Sequence, residues 1–161
     1  MSVRSDKVSR YLIAATIVLI AVIIMSVFLA MSTPKVMVRL GDGVFRTTLA
    51  ISPQEREQGL SGKSRLSSGE AMMLVYDSDK KWRIWMKDMN FPLDIVWLDR
   101  DRKVVYIVKN ALPDSYPMKT FGPNSPARYV LEVPAGSVED RGIRIGSYAE
   151  FDLSERLEIF E

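Results

Sequence analysis

The chain has 161 residues, 47% hydrophobic and 26% charged, with a formal net charge of +2. That suits one folded domain with an appendage. It contains no Cys and no His, which excludes disulfides, thiolate nucleophiles and imidazole catalysis; it also argues against zinc, copper or haem, so no cofactor is expected.

Residues 1–10 form a short tail in which Arg4, Lys7 and Arg10 outnumber Asp6. Residues 32–161 carry equal numbers of basic and acidic side chains. A neutral domain lacks the cationic excess that drives phosphate-backbone binding, so nucleic acid is not an expected partner. Residues 11–31 are 21 positions without a charge. As a helix they would reach about 31 Å, which matches a hydrocarbon core of about 30 Å. A cleaved signal peptide has a shorter apolar core and a small-x-small site; here the best site ends at Ala30, with bulky Phe28 where a small residue is wanted. The expectation is an uncleaved, single-pass transmembrane helix with Tyr11 at its interface. Lys35, Arg39 and Arg46 balance the three cations before it. A long C-terminal part crosses largely regardless of charge, so the domain is expected outside the cytoplasm, tethered to the cell membrane.

Residues 32–34 read as a linker and residues 35–161 as one globular domain. Lys35–Leu40 and 44–51 are strand-like runs joined by Gly41-Asp42-Gly43, strong hairpin punctuation. Ser52-Pro53-Gln54-Glu55 then opens a short helix with an N-cap, a Pro at the first position and a capping box. Strands are predicted at 71–76, 82–87, 93–98 and 103–109, with polar turns at 77–80 and 99–102. That spacing predicts an antiparallel meander. Residues 110–127, with four prolines, read as a long loop. Strands at 128–133 and 148–153 follow, separated by a turn or single helical turn. The fold class is mainly β (α+β). It is expected to be a compact β-sandwich or partly open barrel with one or two short helices, preceded by the transmembrane helix.

Several residues stand out against this frame. Alternation puts Arg83, Trp85 and Lys87 on one face of their run and Trp82, Ile84 and Met86 on the other. The second set reads as core; the first is either a binding platform or a solvated face. Asp94 lies within the apolar run Pro92–Leu98, and Glu132 within Tyr129–Val133. A buried carboxylate needs a cation or backbone N–H partners, and Lys87 is the nearest candidate for Asp94. Lys87, Asp94 and Glu132 are therefore expected to converge on one side of the sheet. Alternation groups Arg128 with Val130 and Glu132. The pairs Asp77/Asp79 and Asp99/Asp101 lack the rest of a calcium loop and are better explained by turn chemistry. No phosphate loop, nucleophile elbow or dinucleotide fingerprint is present.

The strings Arg56-Glu57-Gln58-Gly59-Leu60, Met72-Met73-Leu74-Val75-Tyr76, Trp85-Met86-Lys87, Pro92-Leu93-Asp94-Ile95 and 127–136 together resemble the domain-of-unknown-function family numbered 192. The resemblance spans about residues 44–153. It implies a compact β-rich fold, often behind a signal or anchor sequence, with no assigned activity or cofactor. Ser61, Ala71, Asp88 and Met89 depart from the family pattern. The expectation is a binding module for a small molecule or protein, with a face built from Trp85, Lys87, Asp94, Arg128 and Glu132. A cofactor-free hydrolase using Asp94 and Glu132 as a carboxylate pair, or a structural subunit of an envelope assembly, are the alternatives.

Overall fold

The computed structural model describes Ile13, residues 15–23 and residues 35–154. Residues 15–23 are helical, and their apolar side chains, Ile17, Val18 and Val22 among them, are exposed. Among the described residues no helix is long and apolar enough to cross a membrane. The rest of the expected span at 11–31, the tail and the linker at 32–34 lie outside the described residues.

The domain, from Pro34 onward, is a separate compact unit. Six strands form a single sheet: β1 (Lys35–Leu40), β2 (Gly43–Ala50), β3 (Glu70–Lys80), β4 (Leu93–Leu98), β5 (Val104–Ala111) and β6 (Ala127–Pro134). Their spatial order is β1-β2-β3-β6-β4-β5. The expected hairpin joins β1 to β2, with Leu40 opposite Gly43 and Gly41 in the left-handed region at φ 58°. From β2 the chain enters a short helix, α1 (Pro53–Gln58), and returns as β3 parallel to β2. The capping box is complete. Glu55 N–H donates to Ser52 Oγ at 3.2 Å, and the Ser52 N–H donates to Glu55 Oε2 at 2.8 Å. The Ser52 amide, opposed by desolvation and aided by the Ile51 amide, holds the Glu55 carboxyl below its usual range.

The meander is corrected. Of the strands expected in the meander only β4 and β5 pair as a hairpin, and β6 lies between β3 and β4, antiparallel to both. The burial pattern accounts for this order. β4 is buried at every position, as an interior strand covered on both faces must be, whereas β5 exposes Lys109 and Asn110 and forms an edge. The segment at 82–87 is not a strand either; it pairs through one bridge, Ile84 with Phe121. Side chains take two of its backbone carbonyls. Trp97 Nε1 donates to the Trp82 carbonyl at 3.0 Å, and Ser61 Oγ to that of Lys87 at 2.8 Å. Residues 77–80 continue β3 across a register shift instead of turning. The closing strand at 148–153 is reduced to isolated bridges, Tyr148 with Lys103 and Glu150 with Arg39. One segment thus touches the residue before edge strand β5 and also edge strand β1, yet the sheet is not closed.

A sandwich is replaced by one sheet with a core on each face. On the first face Val38, Phe45, Met73, Val96, Leu131 and Val133 pack under Val138, Ile143, Phe151 and Leu153. Val138 belongs to a second short helix, α2 (Ser137–Asp140). On the second face Met72, Leu74, Tyr76, Ile95, Trp97 and Val130 pack under Leu60, Ile84, Met86 and Phe121. The second cover is made of irregular chain, and a cavity opens beneath it. Gly122 fixes one edge of that cover. A Cβ there would lie 2.8 Å from the Trp82 carbonyl oxygen and from the Arg83 side chain, so the loop approaches this closely only as glycine.

Candidate functional site

Turn chemistry explains one acidic pair. Asp99 Oδ1 accepts from the backbone N–H of Asp101 at 3.0 Å and Lys103 at 2.9 Å. Asp79, in the other pair, accepts from Arg128 Nε at 2.5 Å and Arg100 Nε at 2.7 Å. Arg128 and then Arg100 hold its carboxyl below the usual range. Arg128 is therefore engaged in an Arg–Asp–Arg cluster at the end of β6.

Asp94 and Glu132 do not come together. Asp94 lies opposite Val133 and Glu132 opposite Ile95 in the β4–β6 ladder. Asp94 therefore shares a face with Val96, whose core is the first, and Glu132 shares one with Val130, whose core is the second. Asp94 is 1% exposed, and its partners are backbone amides. Oδ1 accepts from Asn110 N–H and Oδ2 from Val138 N–H, both at 2.9 Å. It ties the end of β5 to the start of α2. The expected Lys87 partner is not used; Lys87 instead lines a small depression with Gln54, Glu57 and Asp88. The expected convergence of Lys87, Asp94 and Glu132 is thus corrected.

Glu132 lines a cavity of about 410 Å³ on the second face. Elements from across the chain converge there. Strand β3 contributes Leu74 and Tyr76, and β4 contributes Leu93. Helix α1 and the residues after it contribute Arg56, Leu60 and Ser61; the irregular segment contributes Trp82, Ile84, Trp85 and Met89. Leu60 reaches the wall because Gly59 ends α1 at φ 50°, ψ −128°, a conformation costly for any side chain-bearing residue. Tyr76 and Trp82 stack with ring centroids 3.9 Å apart, and the Arg56 guanidinium sits 4.8 Å from the Tyr76 centroid. Arg56 Nη1 also donates to the carbonyls of Ile51 and Val75. Trp85, 41% exposed, meets Tyr116 edge-on at 6.3 Å.

Within this wall Glu132 is 5% exposed, and its Oε2 has no hydrogen-bond partner among the described residues. Desolvation pushes its carboxyl up to about 7, because ionising it would place a bare charge among apolar groups. Burial likewise pushes the Tyr76 phenol up to about 12, with Arg56 pulling the other way and Glu132 adding to the rise. Of the five residues expected on the binding face, the cavity brings together Trp85 and Glu132. Lys87, Asp94 and Arg128 lie elsewhere. The sequence reading did not select Arg56, Tyr76 and Trp82 for the site. The crowding of three Trp within sixteen positions was a local signal for one wall; the other walls come from separate strands.

The family whose model is described as DUF192, Uncharacterized ACR, matches residues 36–151. Two crystal structures are similar. One is a candidate transcription regulator from Sinorhizobium meliloti 1021, 30% identical with a TM-score of 0.71, covering 74% of this chain and 95% of that one. The other is a protein of unknown function from Novosphingobium aromaticivorans DSM 12444, also 30% identical with a TM-score of 0.66, covering 73% of this chain and 84% of that one. No curated protein matches the chain. All five strings that carry the family resemblance place a residue in the cavity wall: Arg56, Leu74, Trp85, Leu93 and Glu132.

Proposed function

This chain belongs to the DUF192 family, and we propose that its domain is a ligand-binding module whose ligand enters the cavity above Glu132. The observation that carries the proposal is the unpartnered, buried Oε2 of Glu132 at the wall of that cavity. An orphaned polar atom in a core costs about 1–3 kcal/mol. A fold would shed that cost with an apolar residue unless the group met a partner from outside. Apolar walls with a few convergent polar groups are the usual make-up of a small-molecule site. The paired-carboxylate hydrolase loses its geometric basis, since Asp94 and Glu132 leave the sheet on opposite faces.

The charge-free run at 11–31 supports a membrane tether, with the domain outside the cytoplasm. Resistance of the full-length protein to carbonate extraction, with the domain open to protease added to intact cells, is the expected outcome. Extraction into the supernatant overturns the tether, and protection of the domain overturns the orientation.

Binding is tested by titrating the full-length chain with small aromatic compounds of positive, zero and negative charge, following fluorescence from the Trp residues at the cavity. Saturable binding of at least one compound is expected, and it should vanish in Leu60→Trp, which fills the cavity. Binding by none of them, or binding indifferent to the filling, overturns the proposal.

A further inference from the structure

We propose that the cavity takes a small ligand with an apolar, ring-bearing body and a protonated amine, and that the Glu132 carboxylate receives the amine. This rests on the binding role proposed above and adds the chemical class of the occupant.

The inference starts from what faces Glu132. From α1 come Arg56 and Glu57, from β3 Tyr76, and from the irregular segment Arg83; the β4 residues Leu93 and Ile95 are apolar. On β6 itself Arg128 is bound to Asp79. Two cations thus border the cavity, and each is anchored elsewhere. Arg56 Nη1 is held by the carbonyls of Ile51 and Val75. Arg83 Nε and Nη2 donate to Thr120, at 3.1 Å to its Oγ1 and 2.7 Å to its carbonyl. Glu57 is exposed and of the same sign as Glu132. Among the described residues no cation is hydrogen-bonded to Glu132 Oε2.

An ionised carboxylate is acceptor only. Its complement is a donor, and a charged donor forms the stronger, shorter bond. Burial here pushes the carboxyl up to about 7. An entering ammonium supplies the missing countercharge, favours the ionised form and drives the carboxyl proton into solvent. The walls suit the rest of such a ligand. Leu60, Leu74, Ile84, Met89 and Leu93 offer apolar surface to its body. Trp82 and Trp85 add ring surface that also attracts cations. An anionic ligand is repelled by Glu132 wherever that carboxyl is ionised.

The linkage fixes a pH signature. Below about 7 each ammonium bound releases one proton from Glu132, so affinity rises by about tenfold per pH unit. Above that it is level until the amine itself deprotonates. A neutral ligand that uses protonated Glu132 as a donor shows the reverse, losing affinity as pH rises through 7.

The test uses the full-length chain in detergent, with detergent alone as blank. The probes are 2-phenylethylammonium, its neutral isostere 2-phenylethanol and the anion phenylacetate. Calorimetry runs at pH 5.5, 6.5, 7.5 and 8.5 in two buffers of different ionisation enthalpy, so that protons released are counted. The ammonium is expected to bind at least tenfold more tightly than either isostere at pH 7.5. It should release close to one proton at pH 5.5, and its advantage should disappear in Glu132→Gln. If the alcohol or the anion binds as tightly as the ammonium in wild type, or the advantage survives Glu132→Gln, the amine inference fails and the cavity remains a binding site. If no probe binds, or binding persists in Leu60→Trp, the cavity reading fails and this inference with it. The wild-type pH profile decides the matter should Glu132→Gln not fold.

Discussion

Asp94 and Glu132 stand on neighbouring strands one step out of register, and their side chains leave the sheet on opposite faces. Both are buried, at 1% and 5% exposure. On the first face the cover is α2 and the segment after it, and the first amide of that cover to reach Asp94, Val138 N–H, closes on the carboxylate together with Asn110 N–H. On the second face the cover is irregular chain pinned by side chains, and it leaves a cavity with an acid at its wall and an oxygen unmet. The same residue class is a structural bracket where donors converge and an unpaired acid at a cavity wall where they do not. What distinguishes them is the cover, since each sits in a strand of comparable apolar character.

That contrast can be broken most severely at Asp94. Asp94→Ala leaves the buried Val138 N–H and the part-buried Asn110 N–H without their acceptor, and the expected loss of stability is about 3–5 kcal/mol for two hydrogen bonds to a charged group. Denaturant melts of the full-length chain read it directly. Asp94→Asn should recover only part of the loss, because one of its two positions presents a donor to an amide that also donates. A cost within about 0.5 kcal/mol for Asp94→Ala would mean that the bracket is not needed and that the two carboxylates do not differ as described.

Glu132 should give the next largest effect, one that depends on pH. Its folded-state value of about 7 lies above the ordinary 4.5. Between those values the unfolded chain has released the proton and the folded chain has kept it. Stability contributed by the neutral group is thus fully present below about 4.5, declines as pH rises through the window and is gone above about 7. The decline is on the order of 3 kcal/mol. Glu132→Gln removes the ionisation, so its melts should lack that component and the variant should gain on wild type as pH rises from about 4.5 to about 7. Parallel pH profiles for wild type and variant would show that Glu132 is as well compensated as Asp94.

The smallest effect sharpens the comparison at the cover itself. Ser52→Ala removes the side-chain half of the capping box of α1, at about 1 kcal/mol. Since α1 carries Arg56 to Tyr76 and leads into Leu60 at the cavity, the variant should also weaken probe binding. The first face should be unaffected, as hydrogen exchange at Val138 would report.

The hairpin, the capping box, the Asp99 turn and the alternation of 128–133 were legible in the sequence because each is set by residues within a few positions of one another. Asp94 and Glu132 were identifiable as anomalies for the same reason: a carboxylate inside an apolar run is a local fact. Which face each would take was not, because alternation fixes only the parity within a strand, whereas parity between strands follows from register and order. The insertion of β6 between β3 and β4 set both. A single-residue offset sent Asp94 to the waiting amides and Glu132 to the cavity. The sequence by itself determined the family, the β-rich composition and the two acids that matter. The tertiary structure decided what surrounds each acid, because the donors and walls come from segments remote along the chain.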